Sequence, residues 1–443
     1  MKAAIEAMFP EYVTDLRALV AANSKNAPAE DGAPFGAGVA QALRTMADIA
    51  RRMGFAVTVD PDGYYAYAEI GEGKEMMGVL GHLDVVPADD AENWATPPFE
   101  LTEKDGMLYG RGVSDDKGPT LSALYALKIL LDSGAKLNKR VRFIFCTDEE
   151  SLWRGVKAYV KKEELPTFGF TPDADFPLLY AEKGLVEYTL SAAQKDSITL
   201  TGGTALNAVA SRAQTADDAQ TQSALQKLGY EFAKEGGNLV VRGKAAHAMA
   251  ADKGVNAIVR LCEALVSAGR KEDMLRFVAE KCTDANGRNI FGDVSDEYSG
   301  KLTFNVGLAD FKPGKQELGV DIRFPVTYEK EKVTDALTKA AQPYGITVEE
   351  FDYLRPLHIS TDTPLVKALM QAYQEVTGDT KTQPIATGGA TFARSMDNIV
   401  AFGALMPDAP KTEHQANECA VIKDIKKSME VYIRAFELLA TGG

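Results

Sequence analysis

Apolar positions along the chain follow two rhythms. Between Ile5 and Val20 they recur every three or four residues, at Ile5, Met8, Phe9, Tyr12, Val13, Leu16, Leu19 and Val20, with charges between them. That spacing predicts a helix ending near Asn23, and a second is predicted to end at about Met53. "FAVTVDPDGYYAYAEI" alternates around Pro-Asp-Gly and predicts a hairpin. "MMGVLGHLDVV" is apolar almost without a break, the pattern of a strand buried on both faces of a parallel sheet. "YGRGVSDDKGPTLSALYALKILL" leads into a helix, with Pro119 near its first turn and Gly134 after its last. "RVRFIFCTDEES" reads as a strand running into acids, "WRGVKAYVKKEE" as a helix, and "FGFTPDADFPLLY" as strand and loop. Strands alternating with helices, joined by long crossovers, indicate an α/β domain.

The rhythm changes after about Glu182. "LVEYTLSA", "SITLTGG" and "NLVVRG" read as strands, a polar helix is expected over roughly 214–235, and "GVNAIVRLCEALVSAG" reads as a helix. "KLTFNVGLADFKPGKQELGVDIRFPV" predicts two strands around a Pro-Gly turn, followed by a helix near 328–342 and the strand "ITVEEFDYL". This is an α+β insert of two similar halves. From "TPLVKALMQAYQEVTG" the α/β pattern returns, with a Gly-rich turn "TGGATFARS", a strand "DNIVAFGAL", a loop "MPDAPKTEHQANE" and a closing helix. The expected division is therefore a catalytic domain of residues 1–182 and 358–443, with a mostly parallel central sheet, and an inserted domain of residues 183–357.

The length of 443 residues agrees with two domains, since single cores stop growing well below it. A net charge of −14 disfavours nucleic acid or an anionic membrane as partner. Cys146, Cys262, Cys282 and Cys419 lie far apart, so neither a thiolate zinc site nor a disulfide framework is indicated. The N-terminal stretch is not a signal peptide, and no apolar run reaches membrane-spanning length. The expectation is a cytoplasmic protein.

The candidate chemistry sits after the predicted strands. Only four histidines are present, at 82, 247, 358 and 414. His82 lies two residues before Asp84; strand alternation would put both on one side, where the carboxylate can orient the ring for a metal. The competing reading is a buried histidine with an incidental acid. Asp115 and Asp116 open a helix, and capping accounts for one aspartate but not for two. Glu149 and Glu150 follow a buried strand, at the sheet edge where ligands bind in open α/β folds; a solvated loop is the alternative. Asp173 and His414 are loop residues that become informative only with the others. Two imidazoles and several carboxylates without thiolates suit zinc, manganese or cobalt. Two divalent cations balance Asp115, Glu150 and Asp173 together with one hydroxide, a neutral cluster that a partly dry site tolerates. A shared aspartate requires ions about 3.5–4 Å apart, and Glu149 is then left as general base.

"GHLDVVP", "GRGVSDDKGPT", "TDEES", "PDADFP" and "TEHQANE", in this order and spacing, resemble the dinuclear-zinc aminoacylase/carboxypeptidase-type metallopeptidase family. The likeness is nearest to its bacterial dipeptidases, with carnosinase-like dipeptidases beside them, and runs over nearly the whole chain. It implies a zinc-exopeptidase-like catalytic domain. It implies His82 and Asp173 on one metal, Glu150 and His414 on the other, and Asp115 bridging both, often followed by a cis peptide. Asp84 would orient His82, and Glu149 would act as general base while a cation-activated water attacks the peptide bond of a dipeptide.

The insert resembles the family's lid. There His247 matches a histidine that polarises the scissile carbonyl, Arg323 one that binds the substrate carboxylate, and Asn207 an asparagine near the substrate. Gly388 and Gly389 match a turn beside that carboxylate. His358 matches nothing and reads as structural. The enlarged lid implies a monomer. Ala-Met-Ala after His247, and Ala390 and Phe392 in the Gly-rich turn, depart from common family patterns and bear on substrate preference. The same core in other members deacylates N-acyl amino acids or desuccinylates; a catalytically idle peptide-binding protein would not need Glu149.

Overall fold

Met76–His82 is buried at every position and pairs in parallel with both Arg140–Cys146 and Phe168–Thr171. A strand covered on both faces has no solvent side, which is why its sequence does not alternate. The computed structural model describes residues 1–88, 91–193 and 198–442. The chain divides into two compact units. One comprises Met1–Tyr180, Ile359–Ile385 and Thr391–Gly443; the other comprises Ala181–His358 and Ala386–Ala390.

In the first unit the sheet runs, in spatial order, Ala56–Val59, Tyr65–Ile70, Arg140–Cys146, Met76–His82, Phe168–Thr171 and Ile399–Ala401. The first two neighbour pairs are antiparallel and the last three parallel. The hairpin turns at Pro61-Asp62-Gly63, with Gly63 in the left-handed region. The helix Lys117–Asp132 buries Leu121, Leu124, Tyr125, Leu127, Ile129 and Leu130. Apolar residues on all its sides make it a core helix rather than a surface one. Lys2–Ala21 and Ile422–Ala440 pack against it. Phe170 stacks on Tyr432 with ring centroids 5.4 Å apart, which ties the sheet to the closing helix.

Three parallel strands end along one edge, so the loops after His82, Cys146 and Thr171 collect there. The strand containing His82 stops at that residue. Asp84 therefore lies beyond it, and strand alternation does not govern where its side chain goes.

The second unit carries one eight-stranded sheet, in spatial order Phe232–Glu235, Asn238–Arg242, Arg212–Ala216, Leu200–Gly202, Thr303–Lys312, Lys315–Phe324, Gly184–Ala193 and Thr347–Leu354. Every pair is antiparallel. Val186, Tyr188 and Leu190 face its core together with Ile258, Leu261 and Leu337 from the helices. The helix expected over 214–235 is only Ala219–Leu228. Asp218 caps it, accepting the Thr221 N–H at 2.8 Å, and Gly229 ends it at φ +71°. The flanking residues pair instead as Arg212–Ala216 and Phe232–Glu235, both on Asn238–Arg242.

Candidate metal centre

Five loops and one strand end bring seven side chains together in the first unit. His82, fully buried, is the end of its strand. Its Nδ1–H donates to the Asp84 carbonyl at 3.0 Å, so in a neutral ring Nε2 would be the nitrogen open to a metal. The Asp84 carboxylate is 3.6 Å from Nδ1. It is occupied elsewhere, accepting the backbone N–H groups of Glu149 at 3.1 Å and Glu150 at 3.2 Å. Asp84 thus holds the acidic turn by its side chain and meets the His82 ring with both its carbonyl and its carboxylate.

Asp115 lies between the two imidazoles. Its Oδ1 is 2.9 Å from His82 Nε2 and its Oδ2 is 3.0 Å from His414 Nε2. Asp173 Oδ2 is 3.6 Å from His82 Nε2, and Glu150 Oε2 is 3.1 Å from His414 Nε2. Ligand atoms of His82, Asp115 and Glu150 lie within 4.8 Å of one another, as do those of His82, Glu149 and Asp173. Glu149 is therefore as near to a cation position as the acids expected to bind one. The Asp115–Asp116 peptide is cis.

The two adjacent aspartates have different duties. Asp116 occupies the N-cap position of its helix without making a side-chain cap. Its Oδ2 accepts the His82 N–H at 3.1 Å and the Thr120 hydroxyl at 2.7 Å. Gly81 makes room for this: a Cβ there would meet Thr120 Oγ1 at 1.7 Å.

The electrostatics are those of a site built for positive charge. Burial raises Glu149 well above the usual carboxylate range, with Asp173, Glu150 and Asp115 adding to it. Burial and Asp115 raise Asp173 in the same way, and Glu150 follows. Hydrogen bonds to Asp115 and Glu150 hold the His414 ring up to about 11. Burial opposes a charge on His82, but Asp115, Asp84 and Asp173 outweigh it and keep its proton on. Without a cation the cluster neutralises itself with protons. Two imidazoles and four carboxylates, with no thiolate, fit a divalent transition metal; calcium would take oxygen alone. Loading the metal-free protein with zinc should therefore release protons, and affinity should weaken as pH falls, because His82 and His414 must first lose theirs. Calorimetry in two buffers of different ionisation enthalpy reads this directly; zinc uptake without proton release contradicts it.

The substrate-contact candidates come together in the second unit. His247 Nδ1 accepts the Met249 N–H at 3.1 Å, so the neutral ring carries its proton on Nε2. The Asn207 carbonyl accepts the Ala248 N–H at 2.8 Å, and Ala208 pairs with His247 as a β-bridge. Asn305, which the sequence reading did not single out, donates from Nδ2 to the Leu206 and Ala208 carbonyls at 3.0 and 2.9 Å, on either side of Asn207. Arg323 is not a free cation. Its Nε and Nη2 pair with the two oxygens of buried Asp321, each at 2.8 Å, and its Nη1 donates to the Gly388 carbonyl at 2.9 Å. Gly388 packs against Met249, whose Cβ would be 2.8 Å from an added Cβ. The Gly389 N–H donates to Thr387 Oγ1 at 3.0 Å.

Several supports of the first unit's cluster also escaped the sequence reading. Ser24 Oγ donates to the Leu83 carbonyl at 2.6 Å, and Asn26 Nδ2 to Asp148 Oδ1 at 2.8 Å. Asp148 is buried at φ +67° and also pairs with Arg154. These side chains are spread along the chain and carry no local pattern. Phe392 is buried edge-on to His82, ring centroids 6.2 Å apart, and packs on Trp153.

A parallel-sheet unit with acids and imidazoles converging at its carboxyl edge defines a metal-dependent hydrolase. The sequence profile of Peptidase family M20/M25/M40 matches residues 78–438. The chain is 39% identical over 435 residues to the Bacillus subtilis (strain 168) protein named "Putative dipeptidase YtjP", covering 92% of each. Its fold matches human carnosine dipeptidase 1 with a TM-score of 0.64 at 18% identity, over 99% of this chain and 97% of that one. It also matches the M20 family metallo-carboxypeptidase Sso-CP2 from Sulfolobus solfataricus with a TM-score of 0.63 at 18% identity, over 97% and 99%. This chain belongs to Peptidase family M20/M25/M40. Its members' dependence on divalent metal accords with the donor set around Asp115. Among the described residues no helix is long and apolar enough to cross a membrane.

Proposed function

We propose that this protein is a dipeptidase that works with two divalent cations, zinc by preference. The observation that carries the reading is Asp115, whose two oxygens each face a different imidazole. An aspartate placed in this way would be able to serve two ions. The 39% identity to a protein named as a dipeptidase supports the substrate class.

His82 and Asp173 would hold one ion and Glu150 and His414 the other, with Asp115 common to both. Bound divalent ions supply a more acidic water and polarise the carbonyl under attack. Glu149, buried beside them and not needed as a ligand in this scheme, takes the proton from the attacking water and delivers it to the leaving amine. His247 donates from Nε2 to the oxygen that gains charge, and its Nδ1 contact with Met249 keeps it in the tautomer able to do so. Arg323 acts through Gly388: by holding that carbonyl it orients the Gly388–Gly389 turn, the turn that would meet the substrate carboxylate. Asn207 lies on the segment paired with His247 and completes the substrate contacts. The inserted unit serves as the lid of a monomeric, cytoplasmic enzyme.

Replacing His247 with Ala should lower kcat by about 10²–10³-fold, as loss of an oxyanion donor does, with metal content unchanged. Unchanged kcat in a metal-replete variant would remove His247 from the reaction. The reading as a whole is tested by assaying the zinc-loaded protein against a dipeptide panel, N-acetyl amino acids and a tripeptide. Dipeptide hydrolysis is expected. Cleavage of acyl amino acids alone would make the protein a deacylase on the same core.

A further inference from the structure

We infer that Glu418 is a positioning residue that joins the loop bearing Asp115 to the loop bearing His414, and so sets the spacing at which the two present themselves to a cation. The inference rests on reading those two residues as metal ligands.

Glu418 is fully buried. Its carboxylate accepts the Gly112 N–H at 3.1 and 3.0 Å, the Ser114 N–H at 2.9 Å, the Ser114 hydroxyl at 3.0 Å and the Asp115 N–H at 3.2 Å. Arg111 Nη1 donates to it at 2.8 Å. The Glu418 carbonyl also accepts the Gly110 N–H at 3.1 Å. Donors from five positions of the segment from Gly110 to Asp115, all but Val113, thus meet this one residue. A buried carboxylate is costly unless such donors replace water, so the number of them marks a built arrangement.

The same residue closes the other loop. His414 and Asn417 both adopt left-handed backbone, φ +61° and +63°. The loop is pinned at its base by the Cys419 N–H donating to Thr412 Oγ1 at 3.0 Å. The His414 side chain is 57% exposed, so burial does not hold it in place. Besides its contacts to Asp115 and Glu150, its position depends on the base of the loop, where Glu418 directly precedes Cys419. A glutamine there would present an NH2 group to a ring of donors. At least one N–H of Gly112, Ser114 or Asp115 would then face another donor, and the Asp115 backbone would shift relative to His414.

The test measures metal rather than turnover. Affinity for Co2+ is determined by equilibrium dialysis of full-length protein, with the visible Co2+ spectrum as a signature of ligand geometry and near-UV circular dichroism as the check on folding. Glu418→Gln should bind at least one equivalent about tenfold more weakly, the usual size of an outer-shell effect, with an altered spectrum and a retained fold. Glu418→Asp, which keeps the charge, should recover part of the affinity. A folded Glu418→Gln with unchanged affinity and spectrum overturns the inference. If that variant does not fold, Ser114→Ala decides: it removes one donor and should weaken binding about threefold at unchanged melting temperature, and wild-type affinity in it overturns the inference. A wild-type protein that binds Co2+ but cleaves no dipeptide would defeat the proposed function and leave this inference standing; a wild-type protein that binds no Co2+ would defeat both.

Discussion

Glu149→Gln should lose about 10²–10⁴-fold in kcat, the span general-base catalysis commonly supplies, while keeping its full complement of metal. Glutamine matches glutamate in size, and the main-chain N–H at this position stays bound to Asp84 Oδ1 at 3.1 Å. The turn that carries Glu150 should therefore keep its shape. What disappears is the ability to take a proton. Glu149 suits that task because burial and three neighbouring carboxylates raise its proton affinity, which brings it closer to that of an activated water. The measurement pairs elemental analysis of dialysed protein with steady-state kinetics on a dipeptide. The ligand atom of Glu149 is also within 4.8 Å of those of His82 and Asp173, so the result discriminates. Loss of one metal equivalent together with activity would make Glu149 a ligand and leave the base to be found elsewhere.

Asp115→Ala should be more severe, with activity at background and at least one cation not retained through dialysis. One carboxylate here faces both imidazoles, so under the proposed scheme its removal would take a ligand from two positions at once. It also removes the group that, against the cost of its burial, is held ionised by His82 and His414. No neighbour substitutes: Glu150 reaches His414 and Asp173 reaches toward His82, each at a single ring. Adding zinc back to the variant should not restore turnover. Recovery to within tenfold of wild type at micromolar zinc would show that the two half-sites assemble without a shared ligand.

Much of the catalytic unit was legible along the chain because its strands are covered on both faces. Met76–His82 cannot be other than buried with that composition, and the acids after it and after Cys146 mark the edge where strands end. Asp84 does approach the His82 ring, 3.6 Å from Nδ1, but not by alternation, since the strand stops at His82. The segment 214–235 was misjudged because its polar residues suit a surface helix locally, while pairing with Asn238–Arg242 converts both flanks into strands. Arg323 was expected at the substrate carboxylate; that Asp321, two residues away on the same strand, takes two of its nitrogens was not foreseen. Glu418 stood in plain view at the end of "TEHQANE", and nothing in the spacing says that its partners begin some three hundred residues earlier.

Residue order alone determined the alternation of strands and helices, the long insert, and the list of side chains able to hold metal. Those follow from short-range periodicity and from side-chain chemistry, which survive without coordinates. Only the folded chain decided that Asp115 divides its oxygens between His82 and His414, that Asp116 serves the His82 backbone instead of capping its helix, and that Gly184–Ala193, first in its unit, lies between Lys315–Phe324 and Thr347–Leu354. Such contacts join residues far apart in sequence. Their geometry is set by how the core packs, and no local window of the chain contains both partners.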